Sequence, residues 1–232
     1  MKAISSAEVF AASPIKIDRA KKHIKELEQI EVDYTASSSI QPISGFPSVP
    51  GQPSISQITL HIDNFSGELN AVLGDVIHNL RAALDLLASD LCRINNQSAD
   101  SVYFPFCHKA EKLDEAIKNK NFHRAGPAAI RLLREWKPYP GGNTMLRAIH
   151  DLDIQDKHQM LIPTTVAISS QLFADAHGNF VLNEDHRPAG ARLHFPSDSV
   201  LAGEAIIKTL HDLVDLTTRI VESFKALSAP AG

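Results

Sequence analysis

Leu69, Leu73, Val76, Leu80, Leu84, Leu87 and Leu91 step by four or three residues through the stretch 66–94. That spacing lays one continuous apolar stripe along a long helix, which other elements must cover. Ser13-Pro14 sets a capping hydroxyl before a proline at the first helical position. Ile17, Ala20, Ile24, Leu27 and Ile30 then carry a helix to about residue 30. Residues 111–120 and 127–136 read as shorter helices, and Pro138-Tyr139-Pro140-Gly141-Gly142 breaks the chain. Thr144 can cap the helix that follows. The last helix is expected from Ser197 or Ser199, with the stripe Ile206, Leu210, Leu213, Thr217, Ile220, Phe224 and Leu227. Ile207, Val214 and Val221 make that stripe too wide for a two-stranded coil, so it belongs inside the chain's own bundle. Any homo-oligomer then uses another surface.

Strand signals are fewer. Val32-Asp33-Tyr34-Thr35 reads as a short strand, and Ile58, Leu60 and Ile62 alternate with polar residues. These two are expected to pair as a hairpin across a Ser/Pro/Gly-rich loop at 36–54. In 161–196, Val166 and Ile168, Leu172-Phe173, Phe180-Val181-Leu182, and Leu193 with Phe195 mark further strands, with a turn at His177-Gly178-Asn179. The expected class is α+β, a helical bundle with a small antiparallel β-sheet. The expected organisation is a single domain over 1–232: a helical core with an N-terminal hairpin at 13–160, a β insertion at 161–196 and a closing helix at 197–228.

A net charge of −4 gives no overall basic footprint for duplex DNA. No apolar run reaches the roughly 18 residues of a membrane span, and the first ten residues do not read as a signal peptide. Cys92 and Cys107 show neither zinc-finger nor CxxC spacing and fit reduced thiols. A cytoplasmic protein without membrane contact is expected.

Two polar clusters interrupt the apolar pattern. Within Gly74–Asp85, His78, Arg81 and Asp85 fall together opposite the leucine stripe, at i,i+3 and i,i+4 steps. One reading is a solvated face with a helical ion pair. Against it, the same side carries the small residues Gly74, Ala82, Ala88 and Cys92, which suggests that another segment lies close. The second cluster runs from Leu146 to His158 and holds Arg147, His150, Asp151, Asp153, Asp156, Lys157 and His158. Asp153 reads best as the cap of a new turn. His150-Asp151 has the form of the metal-binding His-Asp pair of phosphohydrolases, and His211-Asp212 repeats the dipeptide. Such pairs also work without metal, the His as acid or base and the Asp fixing its tautomer. Tyr103, Phe104 and Phe106, with Pro105 among them, read as a core plug rather than as base-stacking rings.

These pieces, in order, resemble a bacterial and phage protein family with no assigned reaction. Its pattern is GDxxHNLRxxLD on a helix, a Phe-Pro pair, a Pro-Tyr after a helix, and a LDxxDKH segment. Here these are Gly74 to Asp85, Phe104-Pro105, Pro138-Tyr139 and Ile149 to His158. Trp136-Lys137 departs from it. The resemblance covers about the first two-thirds of the chain and implies that both clusters share one core. Ribonucleases of the HEPN type, with Arg and His spaced along one helix, are similar more weakly. Arg147 to His150 is too short a spacer, and Arg187 to His194 falls in the expected sheet.

The clusters are therefore expected to meet in one polar pocket. Its catalytic candidates are His78, Arg81, Asp85, Asp156 and His158, and its binding candidates are Arg147, His150 and Lys157. The most concrete chemistry is phosphoester hydrolysis on a nucleotide or nucleic acid, with Arg81 forking a phosphate and a divalent metal as an allowed cofactor. The alternative is a non-catalytic binding or sensor module of a bacterial or phage defence-type system, its clusters locking helices together.

Overall fold

The computed structural model describes residues 9–37, 56–63, 67–159, 165–174, 180–182 and 190–227. Its elements in chain order are α1 (Ala12–Ser37), β1 (Ser56–Asp63), α2 (Gly67–Ile94), α3 (Leu113–Asn119), α4 (Pro127–Trp136), α5 (Thr144–Gln159), β2 (Thr165–Ala174), β3 (Phe180–Leu182), β4 (Gly190–His194) and α6 (Ile206–Ala226). The helical bundle is present, and none of the described helices is long and apolar enough to cross a membrane. Where one core with an insertion at 161–196 was expected, the chain divides into two compact units. The first holds Met1–Ile24, Ala71–Ile162 and Lys208–Gly232, and the second Lys25–Asn70 and Pro163–Ile207.

In the first unit, every member of the α2 stripe from Leu73 to Leu91 is buried, and so are Ile77, Ala83, Ala88 and Cys92. The helix is thus covered on more than its leucine side. Ser13 Oγ donates to the carbonyl of Ala83 at 3.0 Å, which ties the start of α1 to α2. The part of α6 in this unit buries Leu210, Leu213, Val214, Leu216, Ile220, Val221 and Phe224. Phe224 meets Phe104 and Phe122 edge-on, each with ring centres 6.3 Å apart. Thr217 is fully buried within this stripe and its hydroxyl bonds back to the Leu213 carbonyl at 2.8 Å, as its position requires.

The capping details differ from expectation. It is Asn143, not Thr144, that caps α5, its Oδ1 accepting from Leu146 N at 3.0 Å. The turn before it closes so tightly that a Cβ on Gly142 would lie 2.5 Å from the Lys137 carbonyl oxygen. The last helix starts at Ile206, because 197–205 form turns instead.

In the second unit, residues 32–35 are not a strand but the last turns of α1. Local bonds carry the helix through the β-branched residues: Thr35 Oγ1 donates to the Glu31 carbonyl at 2.9 Å, and Gln29 Nε2 to Asp33 Oδ1 at 2.8 Å. The expected hairpin between 32–35 and 58–62 therefore does not form. The backbone of β1 instead pairs antiparallel with β2, from Ser56 opposite Leu172 to Asp63 opposite Thr165. β4 pairs with the first half of β2 and β3 with its end. Glu31 of α1 accepts from Leu193 N at 2.9 Å. The turn expected at 177–179 lies outside the described residues.

Candidate functional site

The two clusters meet in the first unit, and the segment 102–107 is threaded between them. α2 and α5 come so close that a Cβ on Gly74 would collide with the Asp156 carboxylate. The small residues on that side of α2 mark a close neighbour, as expected.

Arg81 is only 8 % exposed and is committed to structure. It donates to Asp85 Oδ1 at 2.6 Å and to the Phe104 carbonyl at 3.4 Å, and its guanidinium lies 4.7 Å from the Phe106 ring centre. Asp85 Oδ1 in turn accepts from Phe104 N at 2.8 Å. The i,i+4 pair thus satisfies both backbone groups of Phe104, in the manner of a neighbouring strand. Burial pushes the Asp85 carboxyl up, with Arg81 and the Phe104 N–H pulling against it. A guanidinium held this way is not placed as a phosphate fork, and the reading of a solvated ion-pair face is overturned as well.

Arg147 repeats the arrangement from α5. It grips Asp151 through Nε at 2.9 Å and through a terminal nitrogen at 2.5 Å. Its remaining nitrogen donates to the Cys107 carbonyl at 2.8 Å. Asp151 is therefore an arginine's partner rather than a metal ligand beside His150. His150 stacks flat on Phe106, centres 4.7 Å apart, and its buried Nδ1 has no partner among the described residues. Desolvation, then the positive Arg81 and Arg147, lower its pKa to about 4. A neutral, stacked imidazole is not a cationic binding group at ordinary pH. Phe104 and Phe106 are buried plugs, whereas Tyr103 is half-exposed. Burial raises the pKa of both cysteine thiols, and both are free.

The other junction uses a residue assigned to capping. Asp153 does not start a new turn; α5 runs through it unbroken, and it is almost fully buried. Its Oδ1 lies 3.2 Å from His78 Nδ1, and its Oδ2 accepts from Lys157 Nζ at 2.6 Å. Asp156 lies near the same group, and its carboxyl is pushed up by burial and by Asp153 and Asp75. The side chain of His158 lies outside the described residues. Among the described residues no group of three or more His, Cys, Asp or Glu side chains is arranged to hold a metal ion.

His78 alone of the α2 trio keeps a half-exposed side chain. It opens on a cleft of about 460 Å³ lined by Ile15, Lys16, Arg19 and His23 of α1 and by Asp75, His78 and Asn79 of α2. Lys16 and His23 were not singled out from the sequence, and Arg19 stood out only within the basic run Arg19-Ala20-Lys21-Lys22, although the i,i+3,i+7 spacing of the three places them along one side of α1. A larger cleft of about 750 Å³ between the start of α5 and α6 contains neither cluster. It includes Asp212, whose carboxylate is taken by Lys208 at 2.7 Å, so His211-Asp212 provides no second metal pair. His194, the end of the weaker ribonuclease-like spacing, closes β4 and bonds through Nδ1 to the Gly203 carbonyl at 3.0 Å. Comparison with protein-family models, with curated proteins and with solved structures finds no match to the chain.

Proposed function

We propose that this chain is a non-catalytic binding or sensor module, in which the two clusters are an inter-helix lock. The observation that carries this is the shared commitment of Arg81 and Arg147. Each is engaged by a carboxylate of its own helix and by a carbonyl of 102–107. Among the described residues that segment pairs with no strand, and the Phe104 backbone and the Cys107 carbonyl take these partners instead. On the same reading, the paired backbones of β1 to β4 form a small antiparallel sheet that makes the whole chain α+β.

Phosphoester hydrolysis remains the second reading, on one observation. Asp153 holds His78 by Nδ1, which leaves Nε2 as the nitrogen able to exchange a proton with a substrate. One pair of variants separates the two. Arg81→Met strands the Asp85 carboxylate and should cost about 2–4 kcal/mol in urea unfolding. His78→Gln should leave stability within about 1 kcal/mol of wild type, since the His78 side chain is half in water and Lys157 still donates to Asp153. Wild type should show no turnover of nucleotide phosphoesters. Turnover that disappears in His78→Gln would make the hydrolase reading correct, and an unchanged unfolding midpoint in Arg81→Met would remove the lock.

A further inference from the structure

Resting on the binding-module reading, we infer that the cleft between α1 and α2 is a binding site for a phosphorylated small molecule of nucleotide size. The cleft, about 460 Å³, falls in the range of small-molecule sites, roughly 300–1,000 Å³. Its walls are charged unevenly. Two fixed cations, Lys16 and Arg19, and the rings of His23 and His78 share the lining with one carboxylate, Asp75, although the chain as a whole is acidic. An anion is therefore favoured here against the field of the whole molecule.

Lys16 and His78 are held in place. Lys16 Nζ donates to Asn79 Oδ1 at 3.3 Å, and Asn79 is itself fixed by Nδ2 donating to the Asp75 carbonyl at 2.7 Å. The bond from Ser13 to Ala83 holds this part of α1 on α2. His78 is oriented from behind by the buried Asp153, 3.2 Å from its Nδ1, which leaves Nε2 for the ligand. Lys16 and Arg19 stand one turn apart, so a single phosphate can accept from both.

Asp75 and Ile15 say more about the rest of the ligand. An exposed carboxylate repels a bare anion but accepts from a hydroxyl or amino group. Ile15 is 67 % exposed at the rim and offers an apolar surface. Phosphate at one end, hydroxyl or amino donors, and an apolar part together fit a nucleoside monophosphate.

The test is calorimetric titration of the full chain with AMP, adenosine and inorganic phosphate. AMP should bind saturably, inorganic phosphate should compete with it, and adenosine should bind at least about tenfold more weakly than AMP. The Lys16→Gln, Arg19→Gln double variant should lose AMP binding by about tenfold or more with an unchanged melting temperature. Asp75→Asn should tighten inorganic phosphate. No saturable binding of AMP or phosphate in the millimolar range overturns the site, as does equal binding by wild type and the double variant. Adenosine binding as tightly as AMP overturns the phosphate assignment. These outcomes are separate from the fate of the lock, which Arg81→Met reads as stability alone.

Discussion

His150 shows how far a residue's role depends on its surroundings. On an exposed helix it would titrate near 6.5, but here it stacks on Phe106 beside two arginines and its pKa falls to about 4. Between those values the unfolded chain holds the proton and the folded chain does not. The stability that this group contributes is therefore complete above pH 6.5 and is lost as pH falls toward 4. The loss should be on the order of 2 kcal/mol, allowing for a ring that is not wholly buried. His150→Phe keeps the stack and removes the unpartnered nitrogen. Its stability at pH 7 should lie within about 1 kcal/mol of wild type, and its decline toward acid should be shallower. Urea unfolding at pH 7 and pH 5 measures both, and parallel declines in the two proteins would contradict the assignment.

Between elements, the decisive contact is that of α2 with α5 at Gly74. Glycine inside a helix normally costs about 1 kcal/mol against alanine, so Gly74→Ala on an open face would stabilise. Here the added methyl meets the Asp156 carboxylate, which already crowds Asp153. The substitution should therefore destabilise by about 1–2 kcal/mol, despite the gain in helix propensity. A raised melting temperature would mean that the helices stand further apart. The same closeness explains why the 102–107 segment is held by arginines. Among the described residues the extended chain with buried Phe104 and Phe106 joins no strand ladder; long side chains from both helices hold Phe104 and the Cys107 carbonyl, and the N–H groups of Tyr103 and Cys107 donate to the Lys120 and Pro138 carbonyls.

For the whole molecule, the notable fact is that the first unit is discontinuous. It is completed only when residues 208–232 return to 71–162. The returning helix supplies Leu210, Leu213, Ile220 and Phe224 to the buried interior, and Phe224 contacts the same Phe104 that Arg81 and Asp85 hold. Truncation after Pro196 should therefore leave a chain with helical circular dichroism but no cooperative melting, and with dye-binding apolar surface. A truncated chain that melts sharply would identify α6 as an assembly arm.

The sequence by itself determined that each of the helices exists, though not where α1 ends or where α6 begins. The stripes of α2 and α6 and the buried Thr217 within the latter are local patterns, and local patterns survive folding. Gly74 and its small neighbours also pointed to a segment lying close to α2, and that segment is α5. Only the tertiary structure decided what each charge does. Asp153 has the composition of a cap and becomes the bridge to His78, because the approach of α5 to α2 takes it out of water. Arg81 has a visible partner four residues on, but its second partner, the Phe104 backbone, comes from beyond the end of the helix. Val32 to Thr35 has strand-forming residues yet stays helical, held by bonds within α1 and by the contact of Glu31 with β4. Hydrophobic period is a property of neighbours along the chain. The work of a polar group is fixed by whichever partner replaces water around it, and that partner is chosen by folding.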